Sequence, residues 1–418
     1  MADKQEKQSK GQKSFCIPRQ AIEALLDAKA DAYTICAYLT LANYTDASGM
    51  YSTASLKAVN TSTGGNKMKG GPIPRAIQHL KEIHAFKIEN FSIGKTGKSQ
   101  QQRIDLGPIL FDRDTWIQRT GEILPDGPTE RAKILHILPT FGDPLTDRVW
   151  FSSAIVEGFG KHKQPLKDLK NAGSVAARLL LAMYAATDME TWGGVKPVGA
   201  IRGPWESYKM VRVSSNSGSF TLFTAQSGGS VASIDKRISD DTEQYWYALN
   251  ALESFGFFYK SILVLNRIAR PEKFANGESY GAIPDDAEPL YELDNISRHG
   301  QKPKGEEGLG RITAQTAGEL GYPVTTPGGV FDGTYAAIVR RGQGAMIVGI
   351  YRPRYRVNNL ANAGVKGTWA RIHENNRDYY NFIESVREAN DLPPLPAPWA
   401  TERASTRLEY GEGVEALQ

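Results

Sequence analysis

Apolar residues recur at helical spacing in some blocks of the chain and alternate with polar ones in others, and the change of period marks out the elements. Ile73, Ile77, Leu80 and Ile83 fall on one face of a helix over 72–83, opened by Pro72 and Pro74. The opposite face carries Arg75, Gln78, His79 and Lys81. The period then shifts to two: residues 86–91 alternate as a half-buried strand, 103–106 read as its return, and the intervening tip SIGKTGKSQQQ is polar and basic.

Upstream, residues 15–26 read as a short apolar lead followed by a helix. Residues 31–45 form a second helix, with Tyr33, Cys36, Leu39 and Leu41 or Ala42 facing a core. Asp, Ser and Gly cluster in a turn at 46–50, and Ser52 is placed to cap a third helix running through Val59. A Gly-rich connection, 60–71, leads to the helix over 72–83. The stretch 107–145 is rich in Pro, Gly and Asp, with a short helix predicted at 128–138.

Downstream, a helix is expected over 192–208 and a hairpin over 209–225, turning at 216–218. Residues 243–255 form a helix that buries Tyr245, Leu249, Leu252 and Phe255 and turns Glu243, Gln244, Tyr247, Asn250 and Glu253 outward; a strand, 259–265, follows. Residues 270–310 have the low hydrophobicity of loop, with one strand at 290–293. Strands at 335–339 and 345–357, a long helix over 366–390 and the extended segment LPPLPAPW complete the pattern.

The chain also resembles itself. AIQHLKEIHAF (76–86) and ALNALESFGFF (248–258) share an Ala-apolar-polar-x-Leu-charged-x-apolar-x-x-Phe pattern, and each leads into a strand. AYTICAYLTLANYTD (32–46) matches AARLLLAMYAATD (176–188), and FCIPRQAIEAL matches WFSSAIVEGF from Trp150. A recurring order of elements indicates a duplicated unit.

With 418 residues, 40% hydrophobic and 23% charged, the composition is that of a globular protein with room for two or three domains. The formal charge of +4 says little until it is mapped. Residues 57–103 hold nine Lys and Arg against Glu82 and Glu89, a net of +7, so the remainder is −3. A local basic surface on a near-neutral body suits docking to a polyanion. The two cysteines, Cys16 and Cys36, sit among apolar neighbours as reduced core thiols would, no apolar run reaches membrane-span length, and the polar N-terminus lacks a signal-peptide core. A cytoplasmic protein with no membrane partner is expected.

A helix feeding a basic two-stranded ribbon resembles the recognition helix and wing of winged helix-turn-helix proteins. The repeat then implies an α+β chain with two winged helix-turn-helix domains in tandem plus a C-terminal strand-and-helix module. Its expected parts are a disordered basic arm (1–13), a first winged helix domain (14–117), a linker (118–146), a second winged helix domain with an inserted hairpin (147–298), a mobile loop (299–328), a basic strand-helix module (329–392) and an extended tail (393–418). The arm either touches DNA backbone or only solvates the chain. Tandem winged helices resemble plasmid and phage replication initiators, with transcriptional or partition regulation as the alternative and a DNA-processing enzyme with a catalytic C-terminal module as the alternative of another class.

On this reading Arg75, Gln78 and His79 meet bases in the major groove of double-stranded DNA, and Lys57, Lys67, Lys69, Lys81, Lys95, Lys98 and Arg103 meet phosphates. The second copy, with Glu243 and Glu253 outward, reads DNA less well and suits a homodimer or partner contact. Residues 331–371 carry a net of +6, and Arg352, Arg354 and Arg356 alternate along one strand face, either lining phosphates or guarding an edge.

Catalytic chemistry finds little support. SIGKTGKS (92–99) resembles a phosphate-binding loop, but that motif needs Gly at position 92 and a helix after Ser99. The six histidines are dispersed, without zinc spacing or a paired-His nuclease motif, so no metal or other cofactor is expected. Tyr379 and Tyr380 lie near Arg371, His373 and Arg377, as in tyrosine recombinases, but the ordered elements of that family are missing and helix packing accounts for them better.

Overall fold

The computed structural model describes residues 14–45, 51–52, 54, 56–64, 71–83, 87–88, 102–105, 148–158, 164–188, 192–195, 206–214, 220–227, 235–266, 270–273, 279–282, 288–296, 309–321, 336–340, 346–355 and 363–394. The chain is α+β and divides into two compact units. The first comprises Met1–Ala185, Asp235–Phe257 and Tyr355–Val357; the second comprises Ala186–Ile234, Phe258–Arg354 and Asn358–Gln418.

The first unit opens with β1 (Ser14–Pro18), α1 (Arg19–Asp27) and α2 (Ala32–Asn43). Apolar on almost every side, α2 lies at the centre of the core and packs against the later helices α3 (Leu56–Thr63) and α4 (Pro72–Glu82). Its first turn is capped by Asp31, whose carboxylate accepts from the Thr34 N–H at 2.7 Å. Three short strands, β2 (Tyr51–Ser52), β3 (Lys87–Ile88) and β4 (Gln102–Asp105), form an antiparallel sheet in the order β2-β4-β3.

The third helix differs from its expected span. Ser52 belongs to β2, opposite Gln102, and α3 runs on to Thr63 inside the stretch read as connection. The hydroxyls there support helix: Ser62 donates to the Ala58 carbonyl at 2.9 Å, and buried Thr63 donates to that of Val59 at 2.7 Å. The helix predicted at 128–138 lies outside the described residues.

The same unit also holds β5 (Arg148–Ser152), α5 (Ala154–Glu157), α6 (Pro165–Ala172), α7 (Ser174–Ala185) and α8 (Thr242–Ser254). Helices from both sequence copies therefore share one compact unit, a grouping that cuts across the partition at 118–146. Direct pairing of the copies is the reason. Strand β1 runs antiparallel to β5 with Phe15 opposite Phe151, the two rings stack at 5.6 Å, and α2 packs on α7. The first residues of those helices are joined by a hydrogen bond from Ala32 N–H to Ser174 Oγ at 3.2 Å.

The second unit begins with β6 (Thr187–Asp188) paired to β7 (Gly194–Val195). A six-stranded antiparallel sheet follows in the order β13-β10-β15-β8-β9-β14: β8 (Glu206–Ser214), β9 (Phe220–Ser227), β10 (Phe258–Leu265), β13 (Pro289–Ile296), β14 (Ala336–Arg340) and β15 (Met346–Pro353). The expected hairpin is present as β8 and β9, its turn lying outside the described residues. The helix expected over 192–208 is replaced by β7 at one end and the start of β8 at the other. Gly194 lies so close to β15 that a Cβ there would come within 2.6 Å of the Tyr351 carbonyl oxygen, a backbone approach that suits strand packing and glycine.

Two further elements arise where loop was expected. Strands β11 (Arg270–Lys273) and β12 (Ser279–Ala282) form a ribbon, and α9 (Leu309–Glu319) is a helix. Helix α9 buries Leu309, Ile312, Thr313, Thr316 and Ala317 at regular helical spacing, but two of those five positions are threonines, which hid the period from a hydrophobicity pattern. The Thr313 hydroxyl is satisfied by the Leu309 carbonyl at 2.7 Å. The long helix α10 (Ala363–Glu388) packs on β13, and Tyr291 stacks on Tyr379 at 4.4 Å.

Candidate nucleic-acid interface

Helix α4 is held by Ile73, Ala76, Ile77 and Leu80, all buried, on the side facing α2 and α3. Arg75 and Gln78 are exposed on its other side, and the Gln78 amide donates to Glu82 one turn on at 3.1 Å. His79 departs from the expected outward face. It is half-buried, its Nδ1 lying 3.4 Å from the hydroxyl of buried Thr34 on α2, so it belongs to the seam between the two helices. The helical repeat explains this, because position 79 lies one turn on from buried Ala76 and so at the flank of the apolar stripe.

Among the lysines and arginines expected at phosphates, Lys57 is exposed in the first turn of α3, Lys81 belongs to α4, and Arg103 stands in β4 opposite Tyr51. Lys67, Lys69, Lys95 and Lys98 lie outside the described residues, as does the loop-like motif at 92–99. The structure thus brings Lys57, Arg75 and Gln78 onto neighbouring helices of one unit.

The arginine run of the second unit does not form one exposed face. Arg352 is 2% exposed, and its guanidinium donates to Glu292 on β13 at 2.9 Å, while the same carboxylate accepts from Ser261 at 2.7 Å. Strand β15 ends at Pro353, Arg354 beyond it is exposed, and Arg356 lies outside the described residues. Burial of Arg352 follows from the position of β15 inside the sheet, with Gly194 packed over Tyr351 and the Arg352 side-chain stem. A buried, paired guanidinium contributes to the core of the sheet and is not accessible to a phosphate.

Tyr379 and Tyr380 are both buried. The Tyr379 oxygen accepts the Ile338 N–H at 2.8 Å, and burial pushes its phenol well above the usual range. These contacts fit the packing reading. Cys36 is likewise buried, its thiol directed to the Leu166 carbonyl at 3.4 Å, and desolvation raises its pKa strongly, as suits an inert core thiol.

The residues that position α8 were not found from the sequence. Arg178, inside the apolar α7, donates to the Ile238 carbonyl at 2.8 and 3.0 Å and to the carbonyls of Lys29 and Ala30 at 3.1 Å. Desolvation lowers its pKa, with Asp240 and Asp31 opposing the shift. Arg237 binds Asp235 in a fork and also reaches Glu23 and Asp27 on α1. Together they tie the turn before α8 to α1 and to the start of α2. The available signal was a lone Arg in an otherwise apolar helix, a residue type rarely buried without partners.

No protein-family model, curated protein or solved structure matches the chain. Among the described residues, no helix is long and apolar enough to cross a membrane.

Proposed function

We propose that this chain is a sequence-specific double-stranded DNA-binding protein, with α4 as the helix that enters the major groove and the β3–β4 ribbon as its wing. The observation that carries this reading is the two-sided character of α4. Its buried stripe fixes it on α2 and α3, its outer side offers Arg75 and Gln78, and it leads into an antiparallel strand pair. Arginine and glutamine side chains can make paired hydrogen bonds to guanine and adenine edges. Lys57, Lys67, Lys69, Lys81, Lys95, Lys98 and Arg103 are seven of the nine cations behind the net +7 of the segment and would hold the backbone.

The repeat supports a second winged helix whose recognition helix would be α8. Its acidic outer residues and Tyr247, 73% exposed on α8, favour contact with a second copy over contact with DNA. A chain with one DNA-reading copy and one self-associating copy suits plasmid or phage replication initiation. Transcriptional or partition regulation would use the same parts. The experiment is selection of bound duplexes from a random pool with the full chain, followed by titration at several salt concentrations. Enrichment of one motif, lost in an Arg75→Ala Gln78→Ala variant, is the expected result; equal recovery of all sequences would overturn it. Iterated copies of that motif beside the coding region would favour initiation, and one palindrome would favour regulation.

A further inference from the structure

Outside the segment that the charge map singled out, α6 carries two lysines in different circumstances. Lys170 is half-buried and its ammonium lies 5.7 Å from the centre of the Tyr33 ring on α2, so it is engaged within the fold. Lys167 is exposed, and its ammonium has no hydrogen-bond or ion-pair partner among the described residues. Its aliphatic stem rests on Gly64 at the end of α3, where a Cβ would meet the Lys167 Cδ at 3.3 Å and Cγ at 3.4 Å. Helix α6 packs on both α2 and α3, anchored by buried Leu166 and Leu169, so the position is built into the core of the unit.

We propose that Lys167 is a phosphate-contacting residue and that α6 extends the DNA-binding surface beyond residues 57–103. Lys57 and Gly64 stand near opposite ends of α3, about 10 Å apart along its axis. That distance is on the order of three base-pair rises of duplex DNA, so an ammonium at each end of α3 can meet a different phosphate. In sequence, Gly64 is followed within five residues by Lys67 and Lys69. The flanking sequence KHKQPLKDLK adds Lys161 and Lys163 before α6, and Asp168, half-buried, is the acidic residue of that run. The sequence map missed this residue because the +7 segment was drawn along the chain, whereas α6 reaches the same helices from about a hundred positions away.

This inference rests on the DNA-binding reading, and the test separates the two. Fluorescence polarisation with the full chain and a mixed-sequence duplex of about 30 base pairs is followed between 50 and 200 mM salt for the wild type, Lys167→Gln, Lys57→Gln and Lys236→Gln, the last an exposed lysine on the turn before α8. Loss of one phosphate contact lowers the salt slope by about 0.9, so the deficit against wild type is about threefold larger at 50 mM than at 200 mM salt. The expected result is this change in Lys167→Gln and Lys57→Gln, with Lys236→Gln unchanged and thermal midpoints equal in all four. A Lys167→Gln variant that binds like wild type while Lys57→Gln weakens overturns the role of α6 and leaves the function standing. Equal losses in Lys167→Gln and Lys236→Gln overturn it too, because net charge alone would then explain them. Absence of salt-dependent binding in the wild type overturns both readings.

Discussion

Aligned on their shared pattern, α4 and α8 bury matching positions: Ile73 with Tyr245, Ala76 with Ala248, Ile77 with Leu249 and Leu80 with Leu252. They also end at equivalent positions, Glu82 and Ser254, and each precedes a strand. What differs is the outer side, where Arg75 is replaced by Tyr247 and Gln78 by Asn250. Packing constrains the inner face of such a helix because lost contacts cost stability, whereas solvent leaves the outer face free to carry different chemistry. Two helices with the same buried pattern can therefore carry different outer residues.

The comparison breaks most visibly at its buried positions. Leu80→Ala and Leu252→Ala should each destabilise by about 2 to 5 kcal/mol in chemical unfolding. A large loss at one and almost none at the other would show that the two helices are not packed alike. Next in size, Arg75→Ala or Gln78→Ala should cost about 1 to 3 kcal/mol in binding to the selected site and relax its sequence preference. Tyr247→Ala and Asn250→Ala should leave DNA affinity unchanged, and equal losses on both helices would remove the functional distinction between them.

The termination of α8 gives a smaller effect. Gly256 closes the helix at φ +74°, with the Phe257 N–H returning to the Leu252 carbonyl at 2.9 Å. Gly256→Ala forces a side chain into the left-handed region and should cost about 1 kcal/mol in thermal unfolding. The smallest effect concerns pH. Hydrogen bonds from Arg237 hold the Asp235 carboxyl below its ordinary range despite partial burial. The stability it contributes is therefore present at neutral pH and lost as acid protonates it, below a pH of about 4. Because Arg237 is partly exposed, solvent screens the pair and the contribution should stay within about 1 kcal/mol. Asp235→Asn should flatten the acid limb of the stability curve, and an unaltered limb would show that this cluster does not hold the turn before α8.

Legibility of the fold tracked how purely each element's buried side was apolar. Helices α2, α4, α8 and α10 and strands β10, β14 and β15 were found close to their observed bounds because aliphatic and aromatic residues mark their inner faces. Helices α3 and α9 were shifted or missed because hydroxyl side chains occupy buried positions there and satisfy themselves on carbonyls four residues back. The candidate site followed the same rule. Arg75 and Gln78 were read correctly as outward residues, His79 was placed one step too far round the helix, and Arg352 was read as an exposed strand residue although Glu292 and Gly194 enclose it.

By itself, the sequence determined the period of the main elements, the duplication and the concentration of positive charge, since all three are properties of neighbours along the chain. Only the tertiary structure decided that β1 pairs with β5, that helices of the two copies share one unit, that Arg178 and Arg237 secure α8 and that Lys167 lies against Gly64. Each of those contacts joins residues far apart in sequence. Their energies depend on burial and on partners that no local pattern contains.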